Sequence, residues 1–464
     1  MINKTLGEIA VMCGGTLSHE HEYDHLIQGV ITDSRHIAVG CLFVPLVGER
    51  FDGHTYAAKA LEIGAGATLW QRDRGERPEG RVIEVNDTLE ALQLLAKAYL
   101  KEIGCKVVGI TGSNGKTTTK DIVSALLETT YKVHKTAGNY NNHIGLPLTI
   151  LQMDTDVDIV VLEMGMSGRG EIDILSAIGQ PDVAIITNIG ESHLLQLGSR
   201  KEIARAKVEI ISGMKSDGLL IYNGDEPLIS EALDELSDSK PEGFHTLTFG
   251  LDSTNDDYPT GMMFHGKGII FTSHVHKELG FDLPLLGRHN VVNCLAALTV
   301  ARYFNISEDK IKDGLSHLQL TGMRIEQLVS THGITVLNDA YNASPTSMKA
   351  AIDVLHNAKG YRRKVAVLGD MLELGPQEKE YHAEIGSYMT MDKVNMLYTY
   401  GPLSSCIAEA AKVNLTETNV FAFTDKAALI THLEEHIHPK DIVLVKGSRG
   451  MKLEEVVNAL IEKC

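Results

Sequence analysis

Cysteine is sparse in this chain of 464 residues: there are six (Cys13, Cys41, Cys105, Cys294, Cys406, Cys464), and no two lie close together. Such spacing excludes a disulfide framework or a zinc knuckle and fits a reducing compartment. Long apolar runs are missing as well. Nowhere do about 18 apolar residues follow one another, and the opening MINKTLGEIAVMCGG has no basic segment leading into a hydrophobic one. Neither export nor a membrane span is read, and a cytoplasmic protein is expected. Pro- or Ser-rich linkers and low-complexity stretches are also absent, so domain limits must be found from changes of pattern. Positive charge is in deficit: 43 Lys+Arg against 61 Asp+Glu give a net charge of -18. Such a surface repels polyanions, and nucleic acid is not an expected partner. Small phosphorylated ligands stay open, because a few converging donors suffice to hold them.

What is present is ordinary for a folded α/β protein, with 43% hydrophobic and 22% charged residues. The length exceeds what one core organises, so three domains are expected. Residues 1–104 mix short apolar runs (42–46, 81–85) with turn-rich stretches and end in a helical segment at 87–101, as a small α/β domain would. Residues 105–320 carry buried-strand runs at 106–111, 158–164, 182–187 and 218–223, separated by helical segments such as 117–128. That alternation predicts a parallel sheet covered on both faces. Residues 321–464 alternate strand (334–337, 364–368, 396–400, 441–445) and helix (from Pro345 and from Glu378) in a Rossmann-like pattern. No GxGxxG follows the first of these strands, so a nicotinamide cofactor is not indicated.

The sharpest motif is Gly109-Ile-Thr-Gly-Ser-Asn-Gly-Lys-Thr117, between a predicted strand and a predicted helix. Glycines let backbone N–H groups turn inward around phosphate oxygens, and the helix N-terminus adds partial positive charge at the same point. Lys116 is placed to reach the β- and γ-phosphates and the Thr117 hydroxyl to meet Mg²⁺. Ile110 stands where the GxxxxGK[ST] pattern has its first glycine, so this is the shorter form TGxxGKT. A phosphate loop alone leaves kinase, hydrolase, ligase and motor open.

Further segments extend the pattern: Gly138-Asn-Tyr-Asn-Asn-His-Ile-Gly-Leu-Pro147, Glu163 in Leu-Glu-Met-Gly, Asn188 to His193 (NIGESH), and Lys207 in Ala-Lys-Val-Glu. Together with TGSNGKTT they resemble the Mur ligase superfamily over essentially the whole chain. The resemblance implies ATP held by Thr111, Gly112, Ser113, Asn114, Gly115, Lys116, Thr117 and Thr118. It implies Mg²⁺ at two sites, with Thr117 and Glu163 as contacts of one and His193 of a second, and with Lys207 carbamylated so that a cationic amine becomes an anionic oxygen donor. Lys116, Glu163, His193 and Lys207 are the implied catalytic set. Read without the resemblance, His193 is a loop histidine and Lys207 an ordinary solvated lysine of a polar helix.

Gly287-Arg-His-Asn-Val-Val-Asn293 and Arg324 in Thr-Gly-Met-Arg-Ile-Glu also resemble family segments. They imply Asn290 and Asn293 near the nucleotide base and Arg324 on its phosphates; from the residues alone, an asparagine there reads better as a helix N-cap. Asp339-Ala-Tyr-Asn-Ala-Ser-Pro-Thr-Ser-Met348 is similar to the branch that adds D-alanyl-D-alanine to a UDP-N-acetylmuramoyl tripeptide, with Ser344 in place of the usual second asparagine. Leu368-Gly-Asp-Met-Leu-Glu-Leu-Gly375 with His382, and Lys446-Gly-Ser-Arg449, point the same way. Asp339 is then an ATP contact, and Tyr341, Asn342, Ser448, Arg449, Asn139 and Asn142 are substrate contacts. Thr32-Asp-Ser-Arg35 and the run Leu42 to His54 resemble the family's uridine-nucleotide domain, placing Ser34 and Arg35 at the diphosphate, although a surface turn explains Asp-Ser-Arg equally well. A monomer is expected. The rival readings are a third-step Mur ligase, a folylpolyglutamate synthetase, and a nucleotide-binding switch without ligation.

Overall fold

In the central sheet, alternate residues of each strand serve two different cores. Val107, Val160, Leu162, Ala184, Ile186 and Leu220 face one side, and Val108, Ile110, Ile159, Val161, Val183, Ile185 and Ile221 face the other. A strand with both faces covered has no polar face, which is why these runs read as continuously apolar. The computed structural model describes residues 1–236, 241–277 and 279–462. Six parallel strands lie in the order Val133–Lys135, Ile159–Glu163, Lys106–Thr111, Val183–Ile186, Leu219–Asn223, His245–Phe249. One face is covered by helices Lys116–Glu128 and Arg288–Tyr303, the other by Glu171–Gly179 and Arg200–Val208. The strand Lys106–Thr111 is central, and the order reverses around it, so its C-terminal end opens on the crevice where α/β sheets bind ligands.

The first domain has a five-stranded mixed sheet (Thr16–Leu17, Val82–Val85, Ala67–Gln71, Leu42–Phe43, Val30–Ile31). Pairing of the expected strand 42–46 stops at Phe43: Val44 still donates to Ile31 O (2.8 Å), but Pro45 has no N–H to continue the ladder. Helix Thr88–Ile103, capped by Asp87, packs against Gly145–Leu151 of the central domain, and a single hydrophobic core runs through both.

The last domain has six strands in the order Glu326–Val329, Thr335–Asp339, Ile442–Lys446, Lys364–Gly369, Met396–Tyr400, Val420–Phe423, parallel except for the first. It carries its own core on each face. Between the large sheets in chain order comes an antiparallel sheet of Pro259–His265, Gly268–Ser273 and Phe281–Leu283, which joins the central core beside helix Arg288–Tyr303 and for which no element was expected from the sequence. Among the described residues no helix is long and apolar enough to cross a membrane. Five of the cysteines carry free thiols, while Cys464 lies outside the described residues.

Candidate active site

The phosphate loop is shaped by what surrounds it. Gly112 (φ +146°) and Gly115 (φ +82°) adopt backbone angles that side-chain-bearing residues avoid. A Cβ on Gly112 would stand 1.8 Å from Thr187 Oγ1, and one on Gly115 2.6 Å from Asn293 Oδ1. The rim 187–188 fixes the loop from outside: Thr187 Oγ1 donates to Asn114 O (2.5 Å), Asn114 N–H to Asn188 Oδ1 (2.8 Å), and Ser113 N–H to Asn188 O (3.0 Å). Thr111 Oγ1, Ser113 Oγ and Asn114 Nδ2 are buried with no hydrogen-bond partner among the described residues. Buried polar atoms are seldom left so, and phosphate oxygens are the partners this arrangement suits. Lys116 is only part-buried, yet its Nζ turns back onto Gly112 O (2.7 Å). Crowding by protein atoms holds its ammonium below the usual lysine range, Glu163 opposes that, and Arg324 adds to it. Thr118 is buried in the first helical turn.

Glu163 ends the neighbouring strand and is 2% exposed. One carboxylate oxygen accepts from Thr117 Oγ1 (2.8 Å) and the other from Asn141 Nδ2 (2.8 Å). Asn141 was not among the expected site residues; of that loop, Asn139 and Asn142 were. Asn142 instead starts the helix Gly145–Leu151, its Oδ1 accepting from Ile144 and Gly145 N–H (3.1 and 2.8 Å), and Asn139 is exposed, with its carbonyl accepting from Asn141 N–H (2.7 Å). A Cβ on Gly165 would stand 2.9 Å from the Asn141 amide, so the glycine of Leu-Glu-Met-Gly leaves room for it.

Lys207 departs from the solvated lysine that its polar helix suggests. It is 2% exposed, and among the described residues no acid pairs with it. Burial, and secondarily the nearby Lys116 charge, push its amine well below the usual lysine range. The helical spacing from Ile203, four residues back and fully buried, already places Lys207 on the inward face. His193 (φ +62°) is 27% exposed, with Nδ1 2.7 Å from Glu373 Oε2. At that separation the carboxylate approaches off the ring N–H direction, so the two groups are in contact without a directed hydrogen bond. Burial lowers the His193 pKa, Glu373 opposes this, and Lys116 and Lys207 add to it.

Asn290 does not cap its helix. Gly287 (φ +96°) occupies the cap position; Asn290 Nδ2 donates to Leu286 O (2.8 Å), and Asn293 Nδ2 to Asn290 Oδ1 (3.1 Å), which sets Asn293 against Gly115. The last domain folds over this cluster. Arg324 lies between two left-handed residues, Met323 and Ile325, and its guanidinium stacks 4.4 Å above the Tyr341 ring. Lys446 Nζ donates to Asp339 Oδ2 (2.6 Å) and Asn342 O (2.9 Å). Ser344 caps helix Pro345–Asn357 and reaches Asn114 Oδ1 (3.4 Å), while Thr346 Oγ1 donates to Glu191 (2.9 Å). Ser448 Oγ accepts from Leu372 N–H (2.9 Å), and buried His382 accepts from Met371 N–H through Nε2 (2.9 Å). Arg449 is exposed and paired with Glu454. Ser34 and Arg35 stay apart, in a surface turn of the first domain where Arg35 Nη2 pairs with Asp33 (2.7 Å).

The arrangement is that of a nucleotide-dependent enzyme whose phosphate loop is overlaid by a second α/β domain. Family models match in chain order: Mur ligase family, catalytic domain (26–100), Mur ligase middle domain (110–301), and Mur ligase, glutamate ligase domain (323–449). The chain belongs to the Mur ligase family. It is 49% identical over 463 residues, covering 100% of this chain and 99% of the relative, to UDP-N-acetylmuramoyl-tripeptide--D-alanyl-D-alanine ligase of Bacillus subtilis (strain 168). Among solved structures it resembles MurF from Acinetobacter baumannii (TM-score 0.89, 30% identity, 100% of both chains). It also resembles MurF ligase from Thermotoga maritima in complex with ADP (TM-score 0.82, 29% identity, 94% of this chain and 97% of that one).

Proposed function

We propose that this chain ligates D-alanyl-D-alanine to a UDP-N-acetylmuramoyl tripeptide at the expense of ATP, forming the pentapeptide, ADP and phosphate. The observation that carries the reading is the meeting of Ser344, within the segment Asp339 to Met348, with Asn114 of the phosphate loop. That contact supports the reading because it sets the segment similar to the dipeptide-adding branch against the phosphate loop. The 49% identity to the B. subtilis ligase supports the same substrates.

The tripeptide carboxylate attacks the γ-phosphorus, ADP leaves, and an acyl phosphate forms. The dipeptide amine then attacks the acyl carbon, and phosphate leaves from a tetrahedral intermediate. Lys116 exchanges the Gly112 carbonyl for phosphate oxygens, and Arg324, stacked on Tyr341, supports the same charge. Asn290, Asn293 and Asp339 are assigned to the nucleotide; Asn139, Asn142, Tyr341, Asn342, Ser448 and Arg449 to the peptide substrates; Ser34 and Arg35 to the diphosphate. Packing of the last domain over the loop keeps water from the acyl phosphate.

The donor set suits Mg²⁺. Thr117 and Glu163 offer hard oxygens at the loop, and no three His, Cys, Asp or Glu residues form a closed cage among the described residues. Such a site fits an ion that keeps waters and phosphate oxygens in its shell. Thr117 and Glu163 would hold one ion, and His193 with carbamylated Lys207 would serve a second; when bound, the ions neutralise phosphate charge. An unpaired buried amine held below its usual pKa is the nucleophilic form that carbon dioxide requires.

The reading takes the chain as a cytoplasmic monomer with domains 1–104, 105–320 and 321–464. The test is phosphate release with both substrates, omitting each in turn, with L-glutamate plus folate as contrast. Release that needs muropeptide and dipeptide together, with a pentapeptide product, is expected; turnover only with the contrast pair overturns it.

A further inference from the structure

His193 and Glu373 belong to different domains and are held face to face by more than their side chains. Leu195 N–H donates to Glu373 O (3.0 Å), so the loop 371–375 of the last domain is seated on the turn after His193. The seat is secured from behind: Met371 N–H is bound by His382 and Leu372 N–H by Ser448. Both facing residues are left-handed without being glycine, His193 at φ +62° and Glu373 at φ +63°. Side-chain-bearing residues keep that conformation where their surroundings over-determine it, and such positions cluster at functional sites. At the end of this arrangement Glu373 Oε2 lies 2.7 Å from His193 Nδ1.

We propose that Glu373 is a positioning residue for His193: docking of the last domain delivers the carboxylate that orients the imidazole toward a reaction-centre cation. The inference rests on the assignment of His193 to a second ion under the proposed function. A histidine that ligates a metal generally has its other ring nitrogen against a carboxylate or carbonyl, which fixes tautomer and ring plane. Here that partner comes from a domain that also carries acceptor-substrate residues. The present approach is off the N–H axis, and the soft terminal torsion of histidine lets a ring rotation bring it into line. Because coupling is reciprocal, an ion at His193 strengthens domain docking as much as docking strengthens ion binding.

The test uses the full chain with a non-hydrolysable ATP analogue and Mn²⁺ as probe, free Mn²⁺ being read by electron paramagnetic resonance. Wild type is compared with Glu373→Gln, Glu373→Ala, Glu373→Asp and His193→Ala. Two ions per chain are expected in wild type, one of them lost in His193→Ala. Glu373→Gln and Glu373→Ala should weaken that ion by about tenfold or more, leaving the other ion and the ATP KM unchanged while kcat falls; Glu373→Asp should recover part of the loss. Gln keeps size and shape, so a folding failure of the Ala variant leaves the measurement intact. A His193-dependent ion whose affinity in Glu373→Gln stays within about twofold of wild type overturns this proposal alone, because wild-type ligation still reports on the proposed function. A single ion in wild type overturns both the two-ion assignment and the proposal.

Discussion

Thr117, in the first turn of helix Lys116–Glu128, and Glu163, at the C-terminal end of strand Ile159–Glu163, meet through a 2.8 Å hydrogen bond, with Asn141 holding the second carboxylate oxygen at the same distance. The loop asparagines therefore have separable jobs. Asn141→Ala is expected to lower kcat by about tenfold or more, as loss of an outer partner to a metal ligand does, with little change in melting temperature. Asn142→Ala should act mainly on stability, destabilising the helix it starts by about 1 kcal/mol, with its kinetic effect falling on the KM of the peptide substrate and not on kcat. Steady-state kinetics and urea melts on both variants check the division; matching profiles would refute it.

Lys207→Ala is expected to abolish ligation while ATP affinity, read by calorimetry, stays close to wild type. Wild type supplied with ¹³C-bicarbonate should show a carbamate resonance that the variant lacks. Unchanged ligation in the variant would remove the carbamate from the mechanism.

Ser344 has a structural task that its position in the segment conceals. Its hydroxyl and that of Ser347 form a reciprocal cap on Pro345–Asn357. Ser344→Ala should cost about 1 kcal/mol of stability, whereas Ser344→Asn, which retains a capping oxygen, should cost a few tenths. Chemical denaturation of the two variants decides; equal losses would assign the effect to the contact with Asn114 instead.

His289 gives the protein a pH-sensitive limb. Burial pushes its ring down to about 4 from the ordinary 6.5, with Asp339 opposing and Lys446 adding to the shift. Between those values the unfolded chain binds a proton that the folded chain does not, so stability falls as pH drops from 6.5 toward 4 and is unaffected above that window. The loss is at most about 3 kcal/mol, and less to the extent that solvent reaches the part-exposed ring. His289→Asn should flatten this limb in urea titrations at pH 7, 5.5 and 4.5; an unchanged slope would count against the assignment.

The phosphate loop and the buried strands around it were legible because glycine, lysine and continuous apolar runs are local constraints that few other structures tolerate; the order of those strands was not read from the sequence. The antiparallel sheet at 259–283 was not, because the side chains of Pro259–His265 are mostly exposed and no alternation of buried and exposed apolar residues marks the strand. Asn141 could not be told from Asn139 and Asn142 by composition; the turn geometry alone decides which amide faces Glu163. The cap reading of Asn290 failed because Gly287 takes that position one turn earlier. Lys207 did carry a signal in its four-residue spacing from Ile203, masked by the charged residues Arg200, Lys201, Glu202 and Arg205 of the same helix.

The hydrophobic core that runs from Ile2 and Leu69 through Tyr99 to Leu146 and Leu162 ties the first two domains into one block, and Tyr99 OH and Ile2 N–H add bonds to Met153 and Leu151 carbonyls across the seam. The last domain meets that block through polar contacts around Thr321, Ser344, Thr346 and Glu373 and through the limited apolar packing of Tyr381 and Leu286, with no core common to both among the described residues. The molecule thus has one joint and not two. Its first two domains form the frame of a calliper, spanning from the Ser34 turn to the phosphate loop, and the third is the jaw expected to travel during turnover.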